Sequence, residues 1–360
     1  MSRTSSANPV LVEVTRGTLT ESRHAGAIAV ADANGSLVFS FGDVERPVYP
    51  RSAVKAMQAI PLVESGAADA FALSDEELAV ACASHSGEAV HLAAVRSLLA
   101  KAGLDEGYLA CGAHWPVSET AMRELIRSGR RPQAIHNNCS GKHAGMLAAS
   151  VHLGFDPRGY ERPGHPLQVM IAGIISETSG IALDRDRMGI DGCSVPTWAL
   201  PLRALARGFA RLGGGEGLAA PRARAAGRLI QACFAAPVFV AGEGRFDTLV
   251  MEKLAPSVFV KGGAEGVHCA SLPELDLGIA LKIDDGAKRG TERALAETIA
   301  ALLPKARGTL ADQLDGEIRN WRGTSVGRIA LSPELDQALA GLIPRSSTNM
   351  PAAMVGKGWS

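Results

Sequence analysis

The sequence has no excess of charge of either sign. Lys plus Arg is 37 and Asp plus Glu is 37, so the net charge is zero. Without a basic field the surface has no general hold on a polyanion, and nucleic acid is not an expected partner. Aromatic residues are only 4% of the chain. No run of about 18 uncharged apolar residues occurs, which argues against a membrane-spanning helix and a membrane partner. The opening MSRTSSANPVLVEVTRG has no apolar core behind a basic stretch, so no secretory signal is expected. Six cysteines, Cys82, Cys111, Cys139, Cys193, Cys233 and Cys269, are scattered without a Cys-x2-Cys pair. That is unlike a secreted disulfide scaffold. The expectation is a reduced, cytoplasmic, globular protein.

What is present is a large core and many backbone turns. Hydrophobic residues are 46% of the 360, and 40 residues are glycine. The length has a prior of two domains, or one large two-layered unit. Strands are expected at Val10–Val14, Ala27–Ala31 and Leu37–Phe41. Asn34-Gly35 between the last two favours a type I′ turn. Helices are expected from Ser52 to about Val63, with Pro61 ending or kinking it, and after the capping-box spacing Ser74–Glu77. Others are expected at Glu88–Ala102, stopped by Gly103, and at Ser118–Ser128, Ser140–His152, Pro166–Ser176, Pro201–Leu212, Pro221–Ala235 and Phe246–Leu254. Gly213–Gly217 reads as a surface loop. Ser257–Lys261, Gly266–Ala270 and Leu277–Ile283 read as strands, followed by a helix near Thr291–Leu303. After Ala330 come a short helix and a Ser, Asn, Pro and Gly-rich tail expected to fray.

Strands at both ends with helices between predict an α+β fold. Residues 1–50 and 255–345 form an antiparallel sheet layer, and 51–254 a mostly helical lobe of the same catalytic unit.

Four segments could carry chemistry. Ser52 and Lys55 are three apart, so on a helix they share a face. A lysine with a lowered pKa can activate a serine. Ser84 and Ser86 lie in a run of small polar groups after an apolar helix. Lys261 precedes Gly262-Gly263 on a strand, where a bare edge lets a substrate approach. The order Ser52/Lys55, Ser84 or Ser86, then Lys261-Gly-Gly resembles the layout of penicillin-recognising serine enzymes, without their S-x-N loop or K-T-G threonine. His136–Met146 contains Ser-Gly-Lys, but a phosphate loop needs glycine at 136 and Ser or Thr at 143. Histidine stands at both. Cys139 and Lys142 could share a helix face, and Cys193 could join them. Two thiolates suit zinc, with His136 or His143 as ordinary further ligands. A pair of buried structural cysteines is the plainer alternative. Asp191 sits in a strand-to-helix turn, where it either receives an ammonium group or bonds its own backbone.

Together these blocks resemble the Rhizobium etli-type L-asparaginases, the class 3 or asparaginase II-like group. The blocks are Arg-Ser-x-x-Lys-x-x-Gln from 51, Cys-Ala-Ser-His-Ser-Gly-Glu at 82–88, His-Asn-Asn-Cys-Ser-Gly-Lys-His-Ala-Gly-Met at 136–146 and Asp-Gly-Cys-Ser-Val-Pro at 191–196. The resemblance runs from Val-Glu-Val-Thr-Arg-Gly at 12–17 to Lys-Ile-Asp-Asp-Gly at 282–286. It implies a serine β-lactamase/glutaminase-like fold, a homodimer, and hydrolysis of L-asparagine to L-aspartate and ammonia. It implies two Ser-Lys pairs, Ser52 with Lys55 and Ser84 with Lys261. It also implies a zinc ion on Cys139, Lys142 and Cys193 that tunes substrate binding. Sequence leaves Ser52 and Ser84 open as the nucleophile; Ser52 is favoured because Lys55 is fixed one turn away, with its own N–H and a donor near Gly263 facing the oxyanion. Arg51 is expected at the substrate carboxylate and Asp191 at its ammonium, with Asn138, His85 and His143 as further contacts. A glutaminase, another Ser-Lys amidase and a zinc-stabilised amino-acid-binding protein are the competing readings.

Overall fold

The structure is a computed structural model and describes residues 7–342. The Ser, Asn, Pro and Gly-rich tail lies beyond the described residues. The strands of the main sheet are β1 (Val10–Arg16), β2 (Leu19–Asp32), β3 (Leu37–Phe41), β4 (Phe259–Gly262), β5 (Val267–Leu272), β6 (Leu277–Ile283), β7 (Glu317–Arg319) and β8 (Ser325–Leu331). All pairings are antiparallel, in the order β7-β8-β1-β2-β6-β5-β4, with β3 also on β2. The first half of β2 pairs with β1, and Gly26–Asp32 pairs with β6. The fold is therefore α+β, with an antiparallel sheet built from N- and C-terminal strands and a helical lobe between them, as expected.

The principal helices are α1 (Lys55–Glu64), α2 (Asp75–Ala81), α3 (Ala89–Lys101), α4 (Glu119–Arg127), α5 (Ser140–His152), α6 (Pro166–Ser179), α7 (Leu202–Gly214), α8 (Ala220–Ala235), α9 (Phe246–Leu254), α10 (Lys288–Leu302) and α11 (Pro333–Ala340). Helix α1 is the axis of the lobe, buried from Lys55 to Leu62 and packed on α5, α6 and α8. Helices α7 and α10 cover the sheet. A Cβ on Gly278 would meet Ala206 O of α7 at 2.0 Å, whereas Ile283 Cγ1 lies against Gly290 of α10. These β6 positions differ by an odd number, so the two helices take opposite faces. Among the described residues no helix is long and apolar enough to cross a membrane.

Five local expectations change. Asp191 stands in the turn between two short paired strands, Met188–Ile190 and Pro196–Trp198, not between a strand and a helix. Helix α1 runs through Pro61 to Glu64, because its burial on three helices outweighs one missing backbone bond. The hairpin turn has positive φ at Gly35 but not at Asn34, so it is not type I′. Instead Asp32 Oδ1 accepts from Asn34 N–H at 3.0 Å and Ser36 N–H at 2.9 Å, winding a longer turn. Gly213 and Gly214 belong to α7, not to a loop. A Cβ on Gly213 would sit 1.9 Å from Ser271 Oγ, so bare backbone lets this helix end lie against β5. Strands β7 and β8 were not anticipated. They are short and half-exposed, with charges interrupting the apolar positions.

Candidate active site

Ser52 lies in a tight 3-10 turn, Arg51–Val54, immediately before α1. Arg51 has φ 51, a left-handed conformation rarely held by a side chain of this size. As an early residue of the turn, Ser52 has an N–H without an acceptor among the described residues, as the first amides of a helix do. Gly263 is what lets the end of β4 come close: a Cβ there would meet Pro50 O at 2.7 Å.

Ser84 ends the segment after α2. Lys55 Nζ donates to Ser84 Oγ at 3.0 Å and to Ala83 O at 2.6 Å. Lys261 Nζ donates to the same Ser84 Oγ at 3.0 Å and to Gly262 O at 2.9 Å. Both lysines are fully buried. With both lone pairs taken by lysines, the Ser84 O–H is left to point elsewhere. The expected contact between Ser52 and Lys55 is not made: among the described residues no hydrogen bond reaches Ser52 Oγ. The helical spacing is present, but the Lys55 side chain runs inward to the end of α2.

Ser52 and Ser84 both line a cleft of about 260 Å³, with Asn138, Lys261, Ala264 and His268 among its walls. The Ser84 N–H is engaged, donating to Val240 O at 2.9 Å. The Gly263 N–H is engaged too, on Val267 O at 2.8 Å, so it is not the expected oxyanion donor. The Ala264 N–H, next in the chain, has no acceptor among the described residues. Among the described residues the backbone N–H of Ser52 is therefore unengaged, whereas that of Ser84 is engaged.

Burial lowers the pKa of Lys261 to about 8; Asp247 opposes this, while Lys55 and Arg245 add to it. Burial disfavours the Asp247 carboxylate, but the charge and hydrogen bond of His268, then Lys261 and the Gly262 N–H, hold its pKa below the usual range. Asp247 and His268 escaped the sequence reading. Neither stands in a motif with Lys261: strand register brings His268 to it, and the start of α9 brings Asp247.

Arg51 Nε donates to Asp191 Oδ1 at 2.9 Å, and Nη2 lies 2.8 Å from the same oxygen. The two residues expected at opposite ends of a substrate thus form one half-buried pair. Burial disfavours the Arg51 charge, but the hydrogen bond and charge of Asp191 raise its pKa overall. Asn138 reaches the cleft. His85 and His143 are fully buried: His85 Nε2 lies 2.9 Å from Ser140 Oγ, and His143 Nδ1 lies 2.6 Å from Tyr160 Oη. Burial pushes both imidazoles well below their ordinary pKa. Among the described residues the buried Nε2 of His143 has no hydrogen-bond partner.

Cys139 caps the start of α5, whose glycines seat it. A Cβ on Gly141 would meet Val80 O at 2.2 Å, and one on Gly145 would meet Ala81 Cβ at 3.0 Å. Lys142 Nζ donates to Cys193 Sγ at 3.0 Å. A hydrogen bond from Cys193, followed by the charges of Lys55 and Lys142, holds Cys139 well below the ordinary thiol pKa despite burial. Cys193 is pushed up in turn, first by that hydrogen bond and then by burial. Among the described residues no three of His, Cys, Asp and Glu gather as a metal site. The possible donor set is two adjacent sulfurs and a buried amine, which fits a thiophilic ion once that amine has lost its proton.

Comparison with solved structures gives distant likenesses. Mglu in the presence of 4.3 M NaCl aligns at 15% identity and TM-score 0.40, over 75% of this chain and 58% of that one. A beta-lactamase from Mycobacterium bovis aligns at 13% and 0.35, over 80% and 95%. Unliganded simvastatin synthase from Aspergillus terreus aligns at 13% and 0.38, over 74% and 90%. The chain thus spans less than two thirds of the Mglu chain. Comparison with curated proteins gives no match. The sequence itself is decisive: residues 12–331 match L-asparaginase II, and the chain belongs to that family.

Proposed function

We propose that the protein is of the Rhizobium etli type within its family and hydrolyses L-asparagine to L-aspartate and ammonia. The carrying observation is the Lys55–Ser84–Lys261 chain, in which one serine oxygen lies 3.0 Å from each of two buried lysines. It shares a cleft with Ser52. Ser52 is the nucleophile in this reading, because its own N–H is free to receive the oxyanion. The family supports amide hydrolysis; the substrate and mechanism are our reading.

Ser52 Oγ attacks the side-chain amide carbon; a lysine that has become neutral accepts the Ser84 O–H instead of donating to it, which frees a Ser84 lone pair for the Ser52 proton. The Ser52 and Ala264 N–H groups face the developing oxyanion. The proton returns along the same chain to the amide nitrogen, ammonia leaves, and an aspartyl ester remains on Ser52. Water gives a proton to the same lysine and attacks that ester; the proton returns through Ser84 to Ser52 Oγ as the ester C–O bond breaks and aspartate leaves.

Arg51 binds the α-carboxylate and Asp191 the α-ammonium of the substrate, each sharing its present partner. Asn138 completes the polar wall. Cys139, Lys142 and Cys193 would hold zinc, whose bound charge would influence substrate affinity; no step above passes through it. A cytoplasmic homodimer belongs to the same reading and is tested by light scattering.

The test is ammonia release from L-asparagine, with L-glutamine alongside. Release from asparagine with none after Ser52→Ala is the expected result. Normal turnover in that variant sinks the assignment. Equal rates on glutamine would favour a glutaminase, since one methylene separates the substrates. Turnover of a penicillin in place of asparagine would favour another Ser-Lys amidase. A thermal shift without ammonia would favour a zinc-stabilised binding protein.

A further inference from the structure

Two lysines on one serine oxygen are no more than 6.0 Å apart. Both are shut from water, so their repulsion is poorly screened. Among the described residues one carboxylate, Asp247, stands within ion-pair range of Lys261, 3.9 Å from Nζ. Asp247 belongs to the first turn of α9. Its Oδ2 accepts from the Gly262 N–H at 2.9 Å, and its Oδ1 lies 2.8 Å from His268 Nε2. It is thereby fixed both to β4, through Gly262 beside Lys261, and to the neighbouring β5, through His268. Neutral groups could satisfy Gly262 and His268. The distance to a buried amine gives the negative charge a separate use.

We propose that Asp247 is the positioning residue of Lys261, holding its nitrogen on Ser84 and supplying the charge against which it takes up a proton. The inference rests on the Ser-Lys reading above and deepens it. The other groups bearing on Lys261 are Lys55 from α1, Arg245 before α9 and Cys139 before α5, with the buried thiols Cys233 of α8 and Cys269 of β5 also facing it. Lys55 and Arg245 repel a proton there, and His268 adds to this whenever it is charged. Asp247 and, more weakly, Cys139 attract it. An opposite charge at this range moves a pKa by about 1–3.

The test is an NMR titration of protein labelled with 13C at lysine Cε, with Lys261 assigned through Lys261→Gln. In Asp247→Asn the Lys261 midpoint should fall by about one pH unit or more. Asp247→Glu should restore it toward wild type, and the acid limb of kcat/KM should move with it. If the Asn variant fails to fold, Asp247→Ser, which keeps an acceptor for the Gly262 N–H, gives the same measurement. An unchanged midpoint in a folded variant overturns the proposal, as does a moved midpoint with an unmoved acid limb. The titration needs no substrate. A wild type that releases no ammonia would therefore overturn the hydrolysis reading while the Lys261 result stood.

Discussion

Lys55 bypasses the serine one turn before it and donates to Ser84, 29 residues further on, at 3.0 Å. The local motif and the working contact are thus different things. Ser84→Ala breaks the link that its hydroxyl makes between the two lysines. It should lower kcat on asparagine by about 10²-fold or more while leaving Tm near wild type. Stopped ammonia assays with a melting curve check both.

Lys261 also sets a dependence of stability on pH. Its pKa is about 8 when folded, against an ordinary 10.5. Between those values the unfolded chain holds more protons, so this group makes stability rise with pH through that window. Below pH 8 its burial cost is fully present. Lys261→Met should flatten the rise, measured as denaturation midpoints at pH 7.5, 9 and 10.

The Arg51–Asp191 pair predicts a change in binding more than in chemistry. Asp191→Asn leaves Arg51 without its counter-ion and weakens the place proposed for the substrate ammonium. KM for asparagine should rise about tenfold or more, with a smaller fall in kcat. A fall in kcat at unchanged KM would remove Asp191 from substrate binding.

Removing a sulfur should separate metal from catalysis. Cys193→Ser should lower bound zinc, read by elemental analysis after dialysis, because a hydroxyl is a poor replacement for thiolate. The proposed role predicts a raised KM and a retained kcat. Retained zinc in the variant would take Cys193 out of the ligand set.

Packing offers a test read as stability, without titration. In Gly141→Ala the new Cβ would stand 2.2 Å from Val80 O, a backbone atom that cannot rotate away. The expected loss is about 1–3 kcal/mol, seen as a lower midpoint in urea. Gly103→Ala meets no neighbouring atom but would have to hold φ 73. Its cost should be smaller, about 1 kcal/mol.

The sequence made local relations legible and long-range ones obscure. Ser74 and Glu77 close a capping box because both partners lie within one turn. Gly262-Gly263 marked Lys261, and Gly263 is indeed where strand and turn nearly touch. By contrast, nothing near Asp247 announces His268, since β4–β5 register brings Lys261 opposite Cys269 and so places its neighbour His268. The Ala264 amide was equally hidden, because a backbone group has no sequence signature. Gly213 looked like a loop because glycine reads as a breaker, whereas here it is the price of close contact with Ser271.

The order of synthesis adds one consequence. Ser52, Lys55 and Ser84 leave the ribosome early, but Lys261 follows Ser84 by 177 residues. Strand β1 waits longer still, since Val12 pairs with Leu331. A nascent chain therefore holds its serines and first lysine with an open sheet edge and an incomplete cleft. Prematurely released fragments should be inert, and hydrolytic capacity should emerge only when the polypeptide is nearly whole.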